Sequence, residues 1–178
     1  MTKRSFKEKN LKESLSLHGP FEIPHKKSDL GQQWEIYESS LTIKFWQKTV
    51  GYHKNGALVG DKDGIYIFAT RASKGFQPWY VGKATRSLKQ EAFQADKLKD
   101  YNQVLQTCGT PVMWFITSSV PNKKNLRKSI ISRVEEDLIR FAAEKNPRIR
   151  NQNHTNDKNA YKISGKGKKK YKAMMGYD

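Results

Sequence analysis

The chain has 178 residues with 34 Lys and Arg against 17 Asp and Glu, a net charge of +17, and one cysteine. That length suffices for one ordinary domain with its own core, and the lone Cys108 excludes an internal disulfide framework or a cysteine-based zinc cluster. No apolar run approaches the length of a membrane span, and the charged Met1–Glu8 stretch has no apolar block behind it, so the expectation is a cytoplasmic protein with no membrane partner.

The charge is uneven. Residues 121–178 hold 16 basic against 6 acidic residues, whereas 61–120 hold 8 against 5 and 1–60 hold 10 against 6. A field of this size repels itself and attracts polyanions, which points to nucleic acid, DNA or RNA, as partner. Charge does not distinguish a protein that cuts from one that only binds.

Residues 1–60 read as a basic N-terminal extension, partly ordered, with breaks at Gly19-Pro20 and Pro24. Between Trp34 and Val50 the apolar spacing mixes helical and strand periods and settles neither. Trp34 and Trp46 are expected in the core, base stacking being the alternative. Gly51–Asp63 is turn-rich. Two short apolar runs follow, Gly64-Ile65-Tyr66-Ile67-Phe68-Ala69 and Trp79-Tyr80-Val81-Gly82, separated by Arg71–Pro78, which reads as a loop. Paired as strands, they place two tyrosine hydroxyls on one face of a sheet.

Ser87 to Leu105 lacks Gly and Pro and reads as a helix with Ser87 as its cap and Gln90 completing a capping box. Val112–Ile116 reads as a buried strand. Asn122–Lys145 carries Leu126, Ile130, Ile131, Val134, Leu138 and Ile139 at helical steps and stops at Asn146-Pro147. The tail from 156 to 178 is basic, with Lys168, Lys169 and Lys170 in one run. Strand, strand, helix, strand, helix is the order of an α+β fold: a small, three-stranded, mainly antiparallel sheet flanked by helices.

This order, with Gly64-Ile65-Tyr66 and Tyr80-Val81-Gly82, resembles the GIY-YIG nuclease family over about residues 61–155. Tyr66 and Tyr80 match the motif tyrosines, Gly64 and Gly82 are motif glycines, and Gly82-Lys83-Ala84 resembles the continuation found in excision-repair members. Glu135, three residues before Leu138-Ile139, matches the family's metal-binding glutamate, and Asn151 an asparagine that lines its site. The resemblance implies an endonuclease that hydrolyses DNA phosphodiesters with Mg²⁺ or Mn²⁺, leaving a 5′-phosphate and a 3′-hydroxyl, possible as a homodimer. One carboxylate, phosphate oxygens and water satisfy Mg²⁺. Tyr66 would take a proton from water, which needs cations such as Lys62, Lys83 or Arg86 to favour its phenolate. Lys83 is also a candidate phosphate contact, with the basic tail.

The pattern departs from the family on the first helix, where Glu91 fills the slot of an arginine. Three readings stand: Arg86 or Lys89 replaces that cation; Glu91 is a second metal ligand or acid–base group; or the site is degenerate and the chain only binds nucleic acid. Glu135 borders the apolar stripe between Ile131 and Leu138, although it also stands within the acidic run Glu135-Glu136-Asp137. No two histidines show metal-ligand spacing.

Overall fold

The computed structural model describes residues 15–28, 33–37, 44–51, 58–73, 75–106, 109–118 and 124–151. In chain order these form β1 (Leu15–Glu22), β2 (Lys26–Lys27), β3 (Trp34–Glu35), a π-helical turn (Lys44–Val50), a 3-10 turn (Val59–Asp61), β4 (Gly64–Ala72), β5 (Gly75–Ala84), α1 (Leu88–Glu91), α2 (Ala95–Leu105), β6 (Thr110–Ser118) and α3 (Lys124–Lys145). The fold is α+β, with an antiparallel sheet of order β1-β6-β4-β5.

The sheet therefore has four strands where three were expected. The fourth, β1, comes from the N-terminal extension and pairs with β6 from Leu15↔Ser118 to Glu22↔Val112. Ile23, Ile36, Phe45, Trp46 and Val59 join the same core as the downstream strands. The Gly19-Pro20 pair inside the strand and the lysines on either side of it hid this strand, which is only half-buried.

Alternation along the strands sorts side chains into two layers. Tyr66, Phe68, Met113 and Phe115 pack on one face against Phe45, Trp46, Leu88 and Tyr101. Ile65, Ile67, Val81, Trp114 and Ile116 pack on the other against Ile131, Leu138, Ile139 and Ala142 of α3. The central β6 is covered on both faces, which is why Val112–Ile116 is uniformly apolar.

The Arg71–Pro78 stretch is mostly strand rather than loop: β4 and β5 pair as far as Ala72↔Gly75. Its polar residues belong to strand tips that project past the core. Pro78 pairs with Ala69 beside a bulge at Trp79, a place in an edge strand where a missing N–H is tolerated.

The helix expected from Ser87 to Leu105 is two helices, broken at Ala92–Gln94. Side chains of α2 satisfy the carbonyls freed by the break. Lys97 Nζ donates to the Glu91 carbonyl at 2.8 Å, and the Tyr101 hydroxyl to that of Ala92 at 3.0 Å. Phe93, in the gap, turns edge-on to Phe45, Trp46 and Tyr101. The capping box does not form, and the Ser87 hydroxyl is buried with no hydrogen bond among the described residues.

After α3 the chain straps the free edge of β5. Asn146 Nδ2 donates to the Pro78 carbonyl at 2.7 Å, and the Arg150 N–H donates to that of Trp79 at 2.9 Å. Asn151 then bonds the backbone of Val81 through both ends of its amide. Such a strap removes the exposed edge that an outer strand otherwise presents. No described helix is long and apolar enough to cross a membrane.

Deleting residues 1–23 should remove the partner of β6 and abolish a single cooperative thermal transition. If the sheet were complete without β1, the truncated chain would melt as sharply as the full one.

Candidate active site

The site begins with a register. β4 and β5 pair Tyr66 directly with Gly82, and the phenol ring lies across that glycine. A Cβ at position 82 would collide with the Tyr66 hydroxyl and the adjoining ring carbons. Gly82 is thus required by packing, and the missing side chain brings the Tyr66 hydroxyl over the edge strand of the sheet. Gly64 serves a different purpose, because a Cβ there would meet the Ile116 carbonyl of the neighbouring strand.

Tyr80 lies on the same face, its ring parallel to that of Tyr66 within 5° and 6.0 Å away between centroids, an offset stack. Tyr101 of α2 stands edge-on to Tyr80 at 5.8 Å and stacks on Phe68 at 4.2 Å. The expected pairing of the two motif tyrosines on one face is met.

Their electrostatics differ from the expectation. Burial pushes the Tyr66 hydroxyl well above the ordinary phenol range, and Tyr80, Glu91 and Glu135 push it further the same way. Burial also raises Tyr80; its hydrogen bond with Tyr66 acts in the opposite sense, while Asp96, Asp100 and Glu135 add to the rise. The charged side chains that shift Tyr66 are carboxylates that raise it, and both phenols are neutral at neutral pH. Lys83 and Arg86 do not supply the cationic field expected of them. Lys83 is engaged elsewhere and Arg86 is exposed.

Glu135 approaches from the opposite face. It lies on α3 and is buried to 7 % exposure, while Lys83 Nζ stands 2.8 Å from its Oε2. That oxygen makes no hydrogen bond of good geometry, so the contact is an ion pair. The four residues Tyr66, Tyr80, Glu91 and Glu135 therefore do not share one face of the sheet. Glu135 nevertheless adds to the upward shift of both phenols.

Glu91 has a structural task. Its Oε1 accepts hydrogen bonds from the Thr85 N–H at 2.8 Å, the Arg86 N–H at 2.9 Å and the Thr85 hydroxyl at 3.3 Å, which fixes the turn between β5 and α1. Lys89 is held at the surface by Asp61 at 2.5 Å. Asn151 spends its amide on Val81. Lys168, Lys169 and Lys170 lie outside the described residues.

Sequence reasoning missed Lys97. Its ammonium lies over the Tyr66 ring, 5.7 Å from the centroid, and donates to Gln94 Oε1 at 2.6 Å as well as to the Glu91 carbonyl. Burial lowers its pKa. It meets the π-face of Tyr66. No signal in the sequence marked it, because the stretch from Ser87 to Leu105 reads as one helix.

No group of three His, Cys, Asp or Glu side chains comes together among the described residues. The buried Glu135 oxygen, lacking a hydrogen bond, fits a cation site built on one protein carboxylate and completed by substrate and water.

The raised phenols set a pH dependence. Their folded pKa values lie above those of the unfolded chain, so the stability they contribute is present below about pH 10 and lost as pH rises beyond it. The melting temperature should fall above that pH, and Tyr66→Phe should flatten the fall; an unchanged slope would refute the assignment. Gly82→Ala should destabilise the fold by about 1–3 kcal/mol in a denaturant titration, a loss that Tyr66→Ala in the same chain should partly relieve.

No family model, curated protein or solved structure matches this chain.

Proposed function

We propose that the chain is a GIY-YIG-like endonuclease that hydrolyses phosphodiester bonds in DNA with a divalent cation, Mg²⁺ or Mn²⁺. The observation that carries this reading is the Tyr66 hydroxyl laid over Gly82 beside a parallel Tyr80, with the buried Glu135 paired to Lys83, the residue that follows Gly82. A sheet that needed only packing would bury an apolar residue at position 135. The excess of cations, +17 over the chain, supports a polyanionic substrate.

The residues divide the work as follows. Glu135 holds the cation, which when bound offsets charge developing at the scissile phosphate. Lys83, its present partner, would be free to meet a phosphate oxygen with the cation bound. Tyr66 and Tyr80 act first as neutral donors, orienting the attacking water and a phosphate oxygen. The water oxygen bonds to phosphorus as the P–O3′ bond breaks, and the proton the water gives up ends on the 3′ oxygen, leaving a 5′-phosphate and a 3′-hydroxyl. Glu91 positions the turn that carries Thr85 and Arg86.

A second reading has its own support. Glu135 is neutralised by Lys83, the first-helix arginine is absent, and Glu91 is occupied by backbone amides. On that reading the scaffold binds nucleic acid without cutting it.

Incubation of purified protein with supercoiled plasmid and Mg²⁺ or Mn²⁺ distinguishes the two. Nicking should fall about a hundredfold or more in Glu135→Gln and in Tyr66→Phe, while salt-sensitive binding persists. Nicking unaffected by either substitution, or none in the wild-type chain with either metal, would sink the nuclease reading.

A further inference from the structure

Trp34 is the exposed large hydrophobic side chain among the described residues, at 44 %, whereas Trp46, Trp79 and Trp114 are buried. The expectation that it would enter the core is therefore corrected. Its surroundings are ordered by the β2–β3 ladder, which pairs Lys27 with Trp34 and Lys26 with Glu35. Directly opposed residues share a face. Lys27 accordingly lies over the indole at 5.7 Å, and His25, two residues earlier, packs against it at 5.2 Å. Glu35 belongs to the other face, where Lys26 covers Tyr37 at 4.2 Å.

The platform is held firmly for so short a ladder. Gln106 Nε2 donates to the Trp34 carbonyl at 3.1 Å, and Asn102 bonds both the N–H and the carbonyl of Ile36. His25 Nδ1 donates to the Ile23 carbonyl at 2.9 Å, which fixes the imidazole. An indole kept in water on a rigid base, with a lysine and a histidine beside it and the acidic residue turned away, suits a flat, anionic partner.

We propose that Trp34, Lys27 and His25 form a binding site for single-stranded nucleic acid, in which the indole stacks on an unpaired base and Lys27 meets the adjoining phosphate. A protein partner would need a contiguous apolar patch, and among the described residues Trp34 is the exposed large hydrophobic side chain. A base offers a π-face and a negative charge together. Gln106 and Lys97 are nine residues apart on or beside α2, roughly 14 Å at helical rise, so the platform lies outside the tyrosine site. It shares with the proposed function the premise of a nucleic-acid partner, and holds whether or not the tyrosine site cuts.

The test is done in EDTA, where no cutting occurs, with an oligothymidylate and a duplex of equal length as probes. The oligothymidylate should quench the intrinsic tryptophan fluorescence of the wild-type chain, and Trp34→Ala should abolish that quenching. Trp34→Ala should weaken binding of the single strand about tenfold, with Trp34→Phe retaining most of it. Duplex binding should change little, and Lys27→Ala should lower the salt slope by about 0.7. Equal affinity of wild type and Trp34→Ala for the single strand would overturn the proposal, as would parallel losses for both probes. So would self-association that Trp34→Ala abolishes, since the surface would then be a protein interface. Should Trp34→Ala fail to fold, protection of wild-type fluorescence from iodide by the oligothymidylate decides, its absence overturning the site. Because EDTA removes any divalent cation, a failure of the chain to cut leaves this binding result untouched.

Discussion

Everything at the candidate site depends on one steric relation, a tyrosine ring lying across a glycine on the neighbouring strand. A strand shifted by one residue would turn Tyr66 to the other face and set Lys83 or Val81 beneath it. The collision that any Cβ at 82 would cause makes glycine the residue that this register requires. With the ring so placed, Tyr80 is parallel to it and Tyr101 closes the aromatic group from α2. The same group is buried, which raises its phenols and keeps them neutral. Packing and protonation thus have a common origin.

The sheet manages its two outer strands differently. At one side β1 is drawn from the N-terminal segment to pair with β6, and at the other the stretch after α3 bonds to Pro78, Trp79 and Val81 of β5. The second arrangement has a direct bearing on the site, because the strapped strand carries Gly82 and Lys83. Rigidity at that rim comes from backbone hydrogen bonds that Asn146 and Asn151 help to supply. Asn151, taken from the sequence as a residue lining the site, supports it from behind.

Much of this was legible in the sequence. The two strand runs, the buried strand at Val112–Ile116 and the long helix ending at Asn146-Pro147 show strong periodicity or clear stops, and each appears where expected. β1 was not legible, because its pairing partner lies about 100 residues away and Gly19-Pro20 interrupts its pattern. Nor was the split between α1 and α2, since it is stabilised by Lys97 and Tyr101 reaching back to carbonyls, a tertiary effect that propensity does not register. For the site, residue types were legible and their partners were not. Nothing local announces that Lys83 will neutralise Glu135 or that Glu91 will hold a turn; both follow from how α3 and α1 pack on β5.

The anchoring of Asn151 to Val81 also fixes a point of departure. The remaining 27 residues of the chain, seven of them lysines, are tethered within one residue of Gly82 and two of Lys83. A tether converts a second encounter with the same polyanion into an intramolecular event, governed by effective concentration. On the proposed reading of a polyanionic partner, that arithmetic is measured from the rim of β5, where Asn151 is anchored.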